Sequence, residues 1–353
     1  MPVTDQDQHT TGRPLLAELR PRSVALFRAL QLGDMLCAVP ALRALRAALP
    51  RARITLVGLP WAAGFAARFR HYVDDFVAFP GYPGLPEQAP DLRSLPDFLD
   101  AMHARRLDLA LQMHGDGSRS NGIVALFGAR QVAGFCPPSR RDRVPRRFLP
   151  YPGDESEAGR LLRLTEFLGA PARGRHLEFP LHDADWAELR AAGVAMADGA
   201  PYVCLHPGAR DARRRWPSEC FAAVGDALQK EFGLRVVLTG CAAEQELTRA
   251  VAAAMRTPAT DSASDISIGA LAALMSRARL LVCNDTGVSH VAAALGLPSV
   301  VIFTASEPAR WAPEDRDRHR CLWDPGGEGV AAVLAQARQL LGAASNSRAA
   351  SST

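Results

Sequence analysis

From Thr286 to Phe303 the chain carries no formally charged side chain, and what this run becomes decides what the rest can fold into. A transmembrane helix needs about 20 mostly apolar residues, and the run is nearly that long. Its punctuation excludes one continuous helix. Gly296 and Pro298 interrupt it, and Pro298 removes a helix hydrogen bond. Beyond "GLP" lies "SVVIF", Ser299 to Phe303, short, β-branched and aromatic, the pattern of a buried parallel strand. Before it, "DTGVSHVAAAL" sets Asp285, Thr286 and Ser289 at the start of an Ala-rich helix, where polar side chains cap free backbone N–H groups. The run reads as loop, helix, tight turn and strand.

The same alternation recurs along the chain. "SVALFR", "RITLVG", "FVAF", "LDLALQM" and "RQVAGF" read as strands, with helices in "AVPALRALRAALP", "WAAGFAARF", "LPDFLDAMHARR" and "SNGIVALFG". From about Cys136 the pattern breaks into "CPPSRRDRVPRRFLPYPGDES", a Pro- and Arg-rich loop, then a helix near "EAGRLLRLTEFLG" and a second irregular stretch, Pro171 to Asp185. Alternation restarts at "PYVCLHPGA" and runs through "SECFAAVGDALQKEFG", "LRVVLTG", "EQELTRAVAAAM", "IGALAALMSRA" and "RLLVCND" to a last helix, "GVAAVLAQARQLLG". Strands alternating with helices predict parallel sheets covered on both faces. With 353 residues, two Rossmann-like α/β domains are expected. The expected boundaries are a flexible N-terminus over 1–22, a first domain over 23–175, a connector over 176–199, a second domain over 200–327, a C-terminal helix over 328–342 and a disordered tail over 343–353.

Composition narrows the class. Hydrophobic content of 48% with 22% charged residues describes a soluble globular chain. Lys230 is the only lysine, so 40 of the 41 basic residues are arginine, and most positive charge comes as planar forks suited to carboxylates and phosphates. A net charge of +4 and a pI near 8.8 fall below what a dedicated nucleic-acid binder shows. The seven cysteines are scattered without a C-x-x-C pair, which suits a reducing compartment and gives no zinc or disulfide framework. The N-terminal stretch, with Asp5 and Asp7, lacks the basic and apolar regions of a signal peptide.

In open α/β sheets ligands bind beyond the carboxyl ends of strands, so the turns there are the places to look. "NDTGVSH" offers Gly287 at a helix start, where free N–H groups and the helix dipole favour a phosphate. Thr286 and Ser289 add hydroxyls, and His290 either donates to a phosphate or sugar oxygen or packs on the sheet. The plain alternative is an N-cap with Asp285 satisfying the first turn. "RDARRRWP" gathers Arg210, Arg213, Arg214 and Arg215. A diphosphate fits forked hydrogen bonds there, though at most one or two of these arginines should reach inward, with Trp216 packing. Asp34, beside Gly33, is either a general base facing an acceptor hydroxyl or a helix cap. Glu244 either caps a helix or accepts the two hydroxyls of a ribose. The two D-x-D matches, Asp183/Asp185 and Asp315/Asp317, read as helix capping and as a charged loop, so no metal site is expected.

Taken in order, "GDMLCAVPALRALR", "HPGARDARRRWP", "GCAAEQE" and "CNDTGVSHVAAALGLPSVVIF" followed by "EPARWAP" resemble glycosyltransferase family 9, the bacterial heptosyltransferases of lipopolysaccharide assembly. The resemblance runs from about Ser23 to Pro313. It implies a GT-B fold, two Rossmann-like domains facing across a cleft, and an inverting, metal-independent transfer needing no cofactor. The donor would be a nucleotide sugar, ADP-heptose, held by the C-terminal domain, and the acceptor a lipopolysaccharide inner-core or similar glycan held by the N-terminal one. By motif, Asp34 matches the base, Arg214 a position usually lysine that neutralises the leaving diphosphate, and Glu244 the ribose-binding acid. Thr286 and Gly287 match the diphosphate cradle, with Asp285 and His290 in the same motif. Gly33, Arg28 and Arg119 are candidates for acceptor contacts. Cys37 stands where the family often has histidine. The resemblance places the protein in the cytoplasm, peripheral at the inner face of the inner membrane, where the basic "SRRDRVPRR" would meet phosphorylated sugars or anionic lipid. Other readings are a sugar-nucleotide epimerase of the same architecture and a non-catalytic nucleotide-sugar or glycolipid binding protein.

Overall fold

The apolar strand "SVALF" becomes β1, Ser23–Phe27, the centre of a first sheet, because both of its faces are covered and it has no polar side to turn outward. The structure, a computed structural model, describes residues 13–143, 145, 147–194 and 199–350, the last seven by their backbone alone. β2 (Arg53–Gly58), β3 (Asp75–Ala78), β4 (Leu109–Gln112), β5 (Gln131–Cys136) and β6 (Phe148–Pro150) join β1 in the order β3-β2-β1-β4-β5-β6, every pair parallel. Ala25 stands opposite Thr55 on one side and Ala110 on the other. Phe27, Phe79, Phe98 and Phe127 pack edge to face beneath this sheet, with ring centroids 5.0–5.8 Å apart.

A second parallel sheet repeats the arrangement. β7 (Tyr202–His206), β8 (Arg235–Leu238), β9 (Ala259–Asp261), β10 (Leu281–Asn284), β11 (Ser299–Phe303) and β12 (His319–Trp323) run in the order β12-β11-β10-β7-β8-β9. Val203, Leu205, Val236, Val282 and Ile302 form its buried layer with Trp216, Phe221, Leu228 and Val333 from the helices. In both sheets the strand order reverses beside the first strand, between β1 and β4 and between β7 and β10. These are the points where doubly wound sheets open a crevice for ligands.

The run that opened the sequence analysis folds as read. β10 leads to the helix Gly287–Leu295, then to Gly296 at φ 66°, then to β11. Gly296 takes the left-handed cap that ends the helix, and its N–H returns to the Ala292 carbonyl. Among the described residues no helix is long and apolar enough to cross a membrane.

Several expectations need correction. β6, β9 and β12 lie where no strand was read. Each pairs on one side only, and an edge strand needs no continuous apolar run. The loop after Cys136 also contains a turn of 3₁₀ helix at Pro138–Arg143; Val144 and Arg146 lie outside the described residues. Residues Leu15–Leu19 are helical, within the stretch expected to be flexible, while 1–12 lie outside the described residues. The last helix runs Val330–Ala350, through most of the expected tail; 351–353 lie outside the described residues.

The chain divides into two compact units. The first holds 13–30, 40–152 and 160–174 with the first sheet. The second holds 31–39, 153–159, 175–194 and 199–350, with the second sheet. The segment 31–39, which sequence continuity puts in the first domain, thus belongs to the second unit. Its helix, Leu32–Cys37, packs on the helix Gly287–Leu295.

Candidate functional site

Two glycines let those helices meet. A Cβ on Gly33 would stand 3.4 Å from the Gly287 Cα and 2.8 Å from His290 Cδ2, and one on Gly287 would stand 3.4 Å from the Gly33 nitrogen. The helix starts therefore touch backbone to backbone, which brings Asp34 to the carboxyl end of the second sheet. Asp34 is half-buried in the first turn of its helix, whose N-cap is Gln31, so it is not the cap.

Within the second unit this approach closes one wall of a cavity of about 970 Å³. Gly33, Asp34, Arg214, Glu244, Asp285, Thr286, Gly287 and His290 all line it, so the structure gathers eight of the ten candidates from four distant stretches of chain. The floor is the switch point between β7 and β10. Thr286 is the N-cap of the helix Gly287–Leu295, and no side chain caps it. The expected capping by Asp285 does not occur, because its carboxylate turns to Arg214, with Nη1 3.4 Å from Oδ2, and receives the Ser306 hydroxyl. The Ser289 hydroxyl donates to the Thr286 carbonyl at 2.7 Å. What the helix offers an anion is therefore its backbone N–H groups and dipole.

The arginine run sorts itself. Arg213 pairs with Asp211 at 2.7 Å, and Arg215 Nε donates to the Ala209 carbonyl at 2.9 Å. Arg214 reaches Asp285, while Arg210 lines the cavity. Trp216 is buried, its indole donating to Asp324 at 2.7 Å and its ring edge-on to Phe221, as a packing residue should be. Asn284, fully buried at the end of β10, accepts from the Trp216 N–H at 2.9 Å and donates to the Pro207 carbonyl at 2.8 Å. It fastens the arginine loop to the switch point.

At the far side, Glu244 Oε2 accepts from the Cys241 N–H at 3.0 Å and lies 3.9 Å from His206 Nε2. A Cβ on Gly208 would stand 2.2 Å from Glu244 Oε1, so only glycine there leaves the carboxylate its place. Burial holds the His206 imidazole below the ordinary histidine range, against the pull of Glu244. Burial also lowers His290, against the carboxylates of Asp285, Asp34 and Glu157. His290 is therefore a neutral ring at pH 7, with Nδ1 3.7 Å from Cys37 Sγ and Trp311 edge-on at 6.4 Å. It packs between helices and also lines the cavity.

Two candidates stand elsewhere, in the first unit. Arg28 is 1% exposed and donates to the Met113 carbonyl, joining the ends of β1 and β4 instead of facing solvent. Arg119 is exposed and donates to the Gly84 carbonyl. Sequence reasoning missed Asn284, His206 and Ser306. The signal for the first two was a polar residue ending a buried strand; Ser306, just ahead of "EPARWAP", gave none. Of the D-x-D pairs, Asp185 accepts from the His182 N–H at its helix start, and Asp315 accepts from the N–H groups of Asp317 and Arg318. Among the described residues no group of three or more His, Cys, Asp or Glu could hold a metal.

The chain is 29% identical over 168 residues to lipopolysaccharide heptosyltransferase 3 of Escherichia coli, covering 47% of this chain and 49% of that protein. It spans about half the length of the curated relatives it matches. Among solved structures, a glycosyl transferase family 9 protein from Veillonella parvula superposes with a TM-score of 0.77 at 20% identity, over 91% of this chain and 97% of that one. The E. coli ADP-heptose lipopolysaccharide heptosyltransferase II gives 0.71 at 20%, over 90% and 98%. At such identity the likeness is one of fold, the α/β GT-B class. The sequence model of glycosyltransferase family 9 (heptosyltransferase) matches residues 102–326, a span that takes in Arg119, Arg214, Glu244 and the whole 285–290 motif while leaving Arg28, Gly33 and Asp34 outside. With well over half its length so matched, this chain belongs to glycosyltransferase family 9.

Proposed function

We propose that the protein is an inverting glycosyltransferase that moves a heptose or related sugar from a nucleotide-sugar donor, ADP-heptose, to a lipopolysaccharide inner-core or similar glycan. The observation that carries this reading is the shared cavity. A carboxylate, Asp34, and an anion cradle made of the Gly287 helix start and Arg214 line one space at the switch point of the second sheet. A relative of 29% identity is a lipopolysaccharide heptosyltransferase.

The chemistry follows from these groups. Asp34 takes the proton from the acceptor hydroxyl, whose oxygen attacks the anomeric carbon from the face opposite the leaving group. The bond between that carbon and the phosphate oxygen breaks, and the diphosphate leaves with the electron pair. The N–H groups at the start of the Gly287 helix and the Arg214 guanidinium face the charge as it develops, already in place before the reaction begins. Glu244 takes the ribose hydroxyls. These groups supply the leaving-group stabilisation from the protein itself, so the transfer runs without a metal ion. Arg119 and the exposed arginines of the turn Pro138–Arg143 suit an anionic acceptor or an anionic membrane face, consistent with a cytoplasmic, peripheral protein.

The test is incubation with ADP-heptose and a truncated inner-core glycolipid, with and without EDTA, followed by product NMR. A heptosylated product of inverted anomeric configuration, formed equally with chelator, is the expected result. Retained configuration, or transfer abolished by EDTA and restored by a divalent cation, would contradict it.

A further inference from the structure

The loop after β11 reaches the arginine loop at one point and the turn after β10 at another. The Thr304 hydroxyl donates to the Arg213 carbonyl at 2.7 Å, and the Ser306 hydroxyl donates to Asp285 Oδ2. That same oxygen is the one Arg214 Nη1 approaches, at 3.4 Å. The Asp285 side chain is 3% exposed and that of Arg214 is 36% exposed. A buried carboxylate thus stands behind a half-open guanidinium. Among the described residues, Ser306 and Arg214 are its side-chain hydrogen-bond donors.

We infer that Ser306 is a positioning residue: by donating to Asp285 it keeps that carboxylate from closing on Arg214, leaving the guanidinium aimed and available for the departing diphosphate. The inference rests on the function proposed above and adds a residue to it. Its physical basis is competition for one oxygen. A buried carboxylate needs donors. A fully formed guanidinium–carboxylate pair is bidentate and runs at about 2.7–2.9 Å, whereas the contact here is single-ended and longer. The hydroxyl meets part of the need, so the arginine is held in direction without being neutralised. Removal of the hydroxyl leaves Arg214 as the remaining side-chain donor, and the pair tightens. The diphosphate must then compete with a nearly buried ion pair, and the loss is greatest where leaving-group charge is greatest, in the transition state. The Thr304 tie fixes the Arg213 backbone next to Arg214, so one loop holds both partners, Arg214 through its neighbour and Asp285 directly.

The experiment compares wild type, Ser306→Ala, Ser306→Thr, Asp285→Asn and the Ser306→Ala/Asp285→Asn pair. It reads ADP affinity by calorimetry, kcat and KM for ADP-heptose, and the thermal midpoint. Ser306→Ala should lower kcat about tenfold or more and weaken ADP binding about three- to tenfold. Ser306→Thr, which keeps the hydroxyl, should return both to within about twofold of wild type. In the Asp285→Asn background the alanine substitution should no longer change ADP affinity, because its route has been removed. A Ser306→Ala protein with wild-type kcat and ADP affinity overturns the inference, as does an equal loss in both backgrounds. A merely structural role would lower the thermal midpoint without that coupling. Wild type that binds no ADP would overturn the donor assignment as well; wild type that binds and turns over beside an unchanged Ser306→Ala overturns this inference alone.

Discussion

Gly33→Ala separates two effects that usually travel together. Alanine is the better helix former by up to about 1 kcal/mol in a helix interior, so on propensity alone the substitution should stabilise. The contact geometry decides otherwise. The new Cβ would stand 2.8 Å from His290 Cδ2, whereas carbon atoms pack comfortably at about 3.5–4.0 Å. The imidazole would have to retreat by about 0.7 Å or more, and it has little room to do so. It is 4% exposed, with Cys37 on one side and Trp311 on the other, and the Gly287 Cα is a further 3.4 Å from the added carbon. Overpacking of this kind costs about 1–3 kcal/mol. Position in the first turn shrinks the propensity gain, so the net expectation is destabilisation by about 1–2 kcal/mol. Activity should fall further than stability, since Asp34 is the next residue and a displacement near 1 Å in a reacting group can cost about 100-fold. Gly342→Ala is the control: a helical glycine of the same unit whose Cβ would meet nothing within 4 Å. It should keep wild-type turnover and gain a few tenths to about 1 kcal/mol. Differential scanning calorimetry and ADP release measure both. A Gly33→Ala protein as stable and active as Gly342→Ala would refute the claim that the helices meet through these glycines.

Gly208→Ala should act differently, because the atom it strikes is the far end of a flexible side chain. Its Cβ would lie 2.2 Å from Glu244 Oε1, so the carboxylate swings away from the Cys241 N–H it accepts from, stability falls by about 0.5–1 kcal/mol, and ADP affinity drops about tenfold while 2′-deoxy-ADP, which has one ribose hydroxyl fewer to lose, falls less; equal losses for both nucleotides would remove Glu244 from the ribose. Acid should destabilise the fold through His319, which burial lowers from 6.5 to about 4 and which shares a 2.8 Å hydrogen bond with Ser299. Its folded pKa lies below its unfolded one, so the unfolded chain binds the proton first, and stability is lost as pH falls from about 6.5 towards 4, by up to about 3 kcal/mol. His319→Gln, measured by urea denaturation across that range, should flatten the slope; an unchanged slope would place the pH dependence elsewhere.

Much of this is legible in the sequence itself. The buried strands β1, β2, β7, β8, β10 and β11 announce themselves as β-branched and aliphatic runs because both faces are covered. The edge strand β12, "HRCLW", does not, since a half-exposed edge tolerates Arg320 and the 58%-exposed Trp323. The eight residues that meet in one cavity were all named from turns at strand ends, because a doubly wound sheet puts such turns together. What stayed hidden depends on side-chain direction. That Asp285 turns back to Arg214 and leaves the helix start uncapped follows from the position of Ser306, twenty-one residues away in the chain. That Gly287 serves helix contact as well as ligand approach follows from Leu32 and Gly33 lying against it, a long-range pairing no local pattern encodes.

The measurement closest to the central claim is nucleotide release from ADP-heptose in the presence of a truncated inner-core acceptor, wild type against Asp34→Asn. The amide keeps the size of the side chain and cannot take the acceptor proton. The account predicts acceptor-dependent ADP release by the wild type and a loss of at least about 100-fold in the variant, with ADP affinity retained. Release that survives the substitution at near wild-type rate would show that Asp34 is not the base and that the cavity performs its chemistry by another group.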